Sequence, residues 1–175
     1  MPLAIVYDYA TVKAAIDRAE GHRFSSFITV YGATDYDWDV QEFKDKQGNV
    51  RFRKDIFKGP REQISSDVGH TLRNHVKSHQ ADEYIGEKSR YNDLYTCVSV
   101  TMELLNSAGG QIKLQSLDAG DAGMDRKITE NIAGNWYGDK GDGATKKVER
   151  ASCTIMKLGT NTLWVHTSYP TNFID

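Results

Sequence analysis

The residues of this chain best suited to chemistry fall in two clusters. One is Gly69-His70-Thr71-Leu72-Arg73-Asn74-His75-Val76; the other is Leu163-Trp164-Val165-His166-Thr167-Ser168-Tyr169-Pro170, near the end. A histidine close to its ordinary pKa can take up a proton at neutral pH. Hydroxyls such as those of Thr167 and Tyr169 can donate to an oxyanion, and the guanidinium of Arg90, in Glu87-Lys88-Ser89-Arg90, can hold one in its fork. Such a set suits acid–base chemistry at a centre that gathers negative charge on oxygen.

These groups need elements to position them. Read with period two, Leu163 to Tyr169 is a strand with Leu163, Val165, Thr167 and Tyr169 on one face, and Pro170 ends the ladder. Two apolar residues anchor that face on a core, and two hydroxyls then point the same way, as in the wall of a polar site. The upstream cluster reads as a helix over 68–77. On it His70 and His75 stand about 140° apart round the axis and do not share a face. His70 follows Gly69 at the helix start, where its ring can lean toward a cleft, and is the first choice for a base. His75, beside Val76, is the one more readily packed. His75 and His79 are i and i+4 and could clip a metal ion, but no third ligand stands at a recognisable spacing, so no metal is expected.

Elsewhere, Tyr9 to Glu20 places Val12, Ala15 and Ile16 at helical spacing, and Phe24 to Val30 reads as a strand. An acidic, aromatic stretch follows over 35–45, then a turn at Gln47-Gly48-Asn49 and a strand at Val50 to Arg53. Lys58-Gly59-Pro60-Arg61 is the best internal boundary, dividing a segment 1–60 of open role from a domain 61–175. Tyr91 to Asn106 predicts a helix with Leu94, Cys97, Val98, Thr101, Met102 and Leu105 on its stripe, ended by Asn106 and Gly109-Gly110. A loop is expected over 117–123, a short helix over 125–134 and a flexible loop over 138–143. Two strands, 145–158 and 161–169, then form a hairpin at Gly159-Thr160. Helices first and strands last argue α+β, with helices packed on a C-terminal antiparallel sheet.

At 175 residues and a net charge of −2, the chain has a domain's worth of core and no global basic field. Any phosphate contact must therefore be local. It carries no apolar run of membrane-spanning length and no positively charged leader with a hydrophobic stretch behind it. Cys97 and Cys153 are expected as two buried thiols, not a staple.

Together these stretches resemble the ribonuclease A-like toxin domains at the C-termini of contact-dependent growth inhibition proteins and other bacterial polymorphic toxins. Gly69-His70-Thr71 through His75-Val76 is similar to their Gly-His-Thr-x-x-x-His-Val opening. Ser89-Arg90-Tyr91-Asn92-Asp93-Leu94-Tyr95-Thr96 is similar to the stretch by which they enter a helix. Ile132 to Trp136 matches an Ile-x-x-Trp element with one extra residue, and Thr167-Ser168-Tyr169-Pro170 a closing Thr-Ala-Tyr-Pro. The resemblance covers about 69–173 and leaves the first 60 residues outside it. It implies metal-independent RNA cleavage: deprotonation of a ribose 2′-hydroxyl, in-line attack on the phosphate, and a 2′,3′-cyclic phosphate product, which restricts the substrate to RNA, tRNA included, and not DNA.

The resemblance implies His70, His75, Arg90, Thr167 and Tyr169 as catalytic candidates, with Lys77, Lys88 and Ser168 binding substrate and no cofactor. It implies an immunity protein covering the site, for which a small acidic partner would fit Lys77, Lys88 and Arg90. The toxin would be made in the bacterial cytoplasm without a classical signal peptide and act in a target cell's cytoplasm, and Met1 suits a standalone or cargo effector. Two other readings stand beside it. Asp93 to Gly109 looks like the nucleophile helix of papain-like amidases, with Cys97 as thiolate and His166 as its base. The third is a non-enzymatic binding module whose histidines are structural.

Overall fold

The most strand-like sequence in the chain forms its longest strands. Lys146–Leu158 and Thr162–Ile174 each run 13 residues and pair antiparallel as a hairpin. The computed structural model describes residues 6–19, 35–37, 42–44, 50–52, 71–77, 88–118, 126–158 and 162–174. In chain order these give helix α1 (9–19), strands β1 (Asp35–Asp37), β2 (Glu42–Lys44) and β3 (Val50–Phe52), then helix α2 (Thr71–His75) and strand β4 (Arg90–Tyr91). Helices α3 (Leu94–Asn106) and α4 (Ala108–Asp118) follow, and strands β5 (Arg126–Asn131), β6 (Tyr137–Asp139), β7 (Lys146–Leu158) and β8 (Thr162–Ile174) close the chain. The fold is α+β: β1–β3 make a small antiparallel sheet, and β4–β8 a five-stranded antiparallel one.

Strand β7 is central. Its residue Lys147 pairs with both Tyr137 and Ile174, and Arg150 with both Asn131 and Asn172, so β8 runs along one edge and β5 and β6 share the other. One sheet face packs on α3, which buries Cys97, Val98, Val100, Leu104 and Leu105, more of its circumference than a single stripe. Asp93 caps α3 by accepting the Thr96 N–H at 2.8 Å. Val12, Ala15 and Ile16 of α1 join the same core with Leu72 and Val76, and Asn106 ties to the backbone of Tyr7 through both its amide atoms. Among the described residues, no helix is long and apolar enough to cross a membrane.

Five local expectations are corrected. Pro170 does not end the ladder, since it pairs with Ala151 and β8 runs on to Ile174, and Leu117 and Asp118, expected to open a loop, close α4. Gly109-Gly110 do not end the helical region; they lie in the first turn of α4. Ser107 serves both helices, its hydroxyl donating to the Leu104 carbonyl at 2.7 Å and accepting the Gly110 N–H at 3.0 Å. A Cβ on Gly110 would lie 2.0 Å from the Leu104 carbonyl oxygen, so only glycine lets α4 start so close against the end of α3. The segment expected as a short helix over 125–134 is β5, whose six residues pair with β7. The helical i, i+4 spacing of Ile128 and Ile132 yields there to ladder hydrogen bonds. Gly138 and Asp139, expected in a flexible loop, belong to β6. The expected strand 24–30, the turn at 47–49 and the boundary at 58–61 lie outside the described residues.

Candidate functional site

Strand β4 is the hub of the site, although it is only two residues long. The Val76–Tyr91 bridge pins the end of α2 beside it, and β6 lies along it. That second approach depends on Gly138, where a Cβ would meet the Arg90 carbonyl oxygen at 2.1 Å. Three consecutive residues here then reach in three directions. The Ser89 carbonyl accepts from His75 Nδ1 at 2.7 Å. Arg90 Nε and Nη2 donate to Asp139 Oδ1 and Oδ2 at 3.1 and 2.7 Å. The Tyr91 hydroxyl meets Ser168 Oγ at 3.0 Å.

The Ser89 contact sets the tautomer of His75. A carbonyl can only accept, so Nδ1 carries the proton and Nε2 is the nitrogen able to take one up. His75 is buried, its ring 5.1 Å from the Tyr169 ring. Burial lowers its pKa to about 4, aided by the nearby charge of Lys88 and opposed by the Ser89 hydrogen bond. The ring is therefore neutral over the physiological range.

Asp139 is fully buried. Burial alone would raise its pKa, but the Arg90 fork, the Gly141 N–H at 2.7 Å and Lys77 at 3.6 Å outweigh it and hold the carboxyl below its usual value. The Arg90 guanidinium is thereby fixed in orientation. One carboxylate against two cations leaves this cluster with a net positive charge. Lys88 is exposed beside it.

The terminal strand departs from simple alternation. Ile155 pairs with Val165 but Thr154 with Thr167, so His166 is an extra residue in β8 and the strand reverses its faces there. Partners across a ladder share a face. Val165 and Ser168, opposite Ile155 and Cys153, face the core. Thr167 and Tyr169, opposite Thr154 and Ser152, face the other way. Leu163 and Val165 thus do not share a face with Thr167 and Tyr169, which corrects the single-face reading of this strand.

Across β5, β7 and β8 the reversed face presents two rows, Lys127–Thr154–Thr167 and Thr129–Ser152–Tyr169. Thr129 and Ser152 hydroxyls are hydrogen-bonded at 2.6 Å, and Lys127 Nζ lies 5.7 Å from the Tyr169 ring centre. Helix α2 lies against β8 with His75 on Tyr169. Thr71 is one turn before His75 on the same helix face. The hydroxyls of Thr71 and Thr167 are buried, and neither has a hydrogen-bond partner among the described residues. Buried hydroxyls are nearly always satisfied, so two orphans beside one histidine mark a place where a ligand can complete them.

The structure thus brings His75, Arg90, Thr167, Tyr169 and Lys77 around one region, with Lys88 at its edge. It places Ser168 in the core, fully buried, on the Thr101 and Tyr91 hydroxyls. His70 and His79 lie outside the described residues. Cys97 is fully buried in the apolar core, where a substrate cannot reach its sulfur. Sequence reasoning missed Asp139, Lys127 and Thr71 as members of the site. Asp139 was hidden in an apparent loop and Lys127 in an apparent helix, whereas Thr71 stood within the Gly-His-Thr cluster and was open to selection.

No family model and no curated protein matches the chain. A chain from the crystal structure of a CdiA-CT/CdiI complex from Y. kristensenii 33638 is similar to it at a TM-score of 0.41 and 19% identity, over 59% of this chain and 100% of that one. At that depth the likeness carries no argument about fold or activity.

Proposed function

We propose that the protein is a metal-independent ribonuclease acting as an antibacterial toxin. The observation that carries the reading is His75, held by the Ser89 carbonyl in the tautomer whose Nε2 can accept a proton, stacked on Tyr169, two residues from the orphaned Thr167 hydroxyl. In this scheme His75 Nε2 takes the proton of a ribose 2′-hydroxyl. The resulting alkoxide attacks the adjacent phosphorus, and the bond to the 5′-oxygen breaks with that oxygen taking a proton from solvent water as it leaves. Thr167 and Tyr169 donate to non-bridging oxygens, and the Arg90–Lys77–Asp139 cluster supplies a net positive field toward the phosphorane. The motif resemblance over 69–173 supports the same chemistry. His70, the first choice for the base on sequence, lies outside the described residues and is kept as the alternative base.

The direct test is purified protein with total tRNA in excess EDTA, with the new ends analysed. Cleavage leaving 2′,3′-cyclic phosphates is the expected result; intact RNA would overturn the reading. A toxin of this kind also requires a cognate immunity protein in its producer. Induced expression should arrest bacterial growth, and a protein encoded beside it should restore growth and form a stable complex with it. Growth unaffected by the active enzyme would remove the toxin half of the proposal.

A further inference from the structure

The polar face of the large sheet continues past the site. At the other end of β7, Tyr137, Lys147 and Ile174 are cross-strand neighbours in one row. Val148, next along β7, is buried in the core, so this row turns to the opposite face, the one that carries Thr167 and Tyr169. Tyr137 is 46% exposed and Ile174 45%. With Thr145, Lys146 and Lys147 they line an open cavity of about 500 Å³, whose lining includes no carboxylate among the described residues.

An exposed ring on a rigid strand, beside two lysines in a chain of net negative charge, fits a particular ligand. A nucleobase offers a flat face to stack on, and its phosphates offer charge to the ammonium groups. An acidic protein would satisfy the lysines but make no use of the flat ring in a cavity. We propose that this cavity is a second RNA subsite, in which Tyr137 stacks on an unpaired base and Lys147, its neighbour across the ladder, holds a flanking phosphate. The proposal rests on the ribonuclease reading and adds a requirement on substrate length. Lys147 and Ser152, the latter opposite Tyr169, are five residues apart on β7, roughly 17 Å at the rise of a strand. Only an RNA of several nucleotides reaches both places, and a dinucleotide occupies the cleavage site alone.

The experiment compares two substrates, a dinucleoside monophosphate and a single-stranded oligoribonucleotide long enough to span the face. Tyr137→Ala should raise KM for the long RNA roughly 5- to 100-fold, the range seen when a stacking ring is removed. It should leave kcat/KM for the dinucleotide unchanged, which also shows that the variant is folded. Tyr137→Phe keeps the ring and should restore the long-RNA KM. Lys147→Gln should flatten the dependence of log affinity on log salt by about 0.7, the slope of one phosphate contact on a single strand. If wild-type protein cleaves both RNAs and Tyr137→Ala changes neither or both equally, the subsite is overturned while the ribonuclease reading stands, and the cavity is left to a protein partner. If wild-type protein cleaves neither, both fall together.

Discussion

Thr167 and Ser168 are neighbours on one strand, and both bury a hydroxyl, yet the two faces they occupy treat that hydroxyl in opposite ways. On the core face every proton has a destination. The Cys97 carbonyl can only accept, so Thr101 donates to it, Ser168 donates to Thr101, and Tyr91 donates to Ser168, over contacts of 2.7, 2.7 and 3.0 Å. On the other face the Thr167 hydroxyl meets no partner among the described residues, and neither does that of Thr71. An unsatisfied buried hydroxyl costs about 1–3 kcal/mol. A folded chain tolerates that where a bound ligand supplies the missing partner. The core face has spent its hydroxyls on stability; on the reversed face Thr129 and Ser152 pair with each other, and Thr71 and Thr167 stand in reserve.

Substitutions on the two faces should therefore separate activity from stability. The largest effect is expected at His75. His75→Ala, assayed per folded molecule, should lower the RNA-cleavage rate by roughly 10²- to 10⁴-fold, the usual contribution of a positioned base. A folded His75→Ala protein of full activity would move the role to His70 and empty the reversed face of its main function. Thr167→Val keeps the shape of the side chain and removes its donor, and should cost the rate about 10²-fold.

Acid should strike the same face. The His75 pKa is about 4 in the folded protein and near 6.5 when unfolded, so between those values the unfolded chain holds a proton that the native ring refuses. The stabilisation this gives is complete above pH 6.5 and is lost as pH falls toward 4, by up to about 3 kcal/mol. Denaturant titrations at a series of pH values should show the slope, and His75→Gln should remove it. For the same reason the acid limb of the rate profile should lie well below that of an ordinary histidine.

Smaller and opposite in kind is Ser168→Ala. It leaves the Tyr91 and Thr101 hydroxyls short of a partner and should lower unfolding free energy by about 1–3 kcal/mol, with the rate per folded molecule unchanged. A rate loss matching that of Thr167→Val would erase the distinction between the faces. Smallest of all, Thr167→Val should leave stability unchanged or raise it by under about 1 kcal/mol, because the group it removes has no hydrogen-bond partner among the described residues.

Much of the architecture was legible because it is local. The Val12-Ala15-Ile16 spacing reads directly as a buried helix face, the 91–106 pattern as α3, and the long alternating runs at the end as β7 and β8. Where strands were misread, a contact distant in sequence overrode the local signal; at Gly109-Gly110 a neighbouring hydroxyl did. Ile128 and Ile132 are spaced as in a helix, but β7 offered ladder partners to six residues there. Gly109-Gly110 look like a stop, but the Ser107 hydroxyl restarts the helix over the carbonyl of Leu104.

The site divides in the same manner. His75, Arg90, Thr167 and Tyr169 could be picked from the sequence because residue type gives their chemistry and the motif resemblance singles them out. Their arrangement could not. Asp139 orients Arg90 only because Gly138 admits the backbone of β4, and Lys127 reaches Tyr169 only across two ladders. Most of all, one extra residue at His166 decides which face each hydroxyl serves. A bulge is settled by pairing energies summed along both strands, and period-two reading of one strand contains no term for its partner. The sequence by itself determined which groups are available and which segments are helix or long strand. Tertiary pairing alone decided which hydroxyls close a network in the core and which stand open beside the histidine.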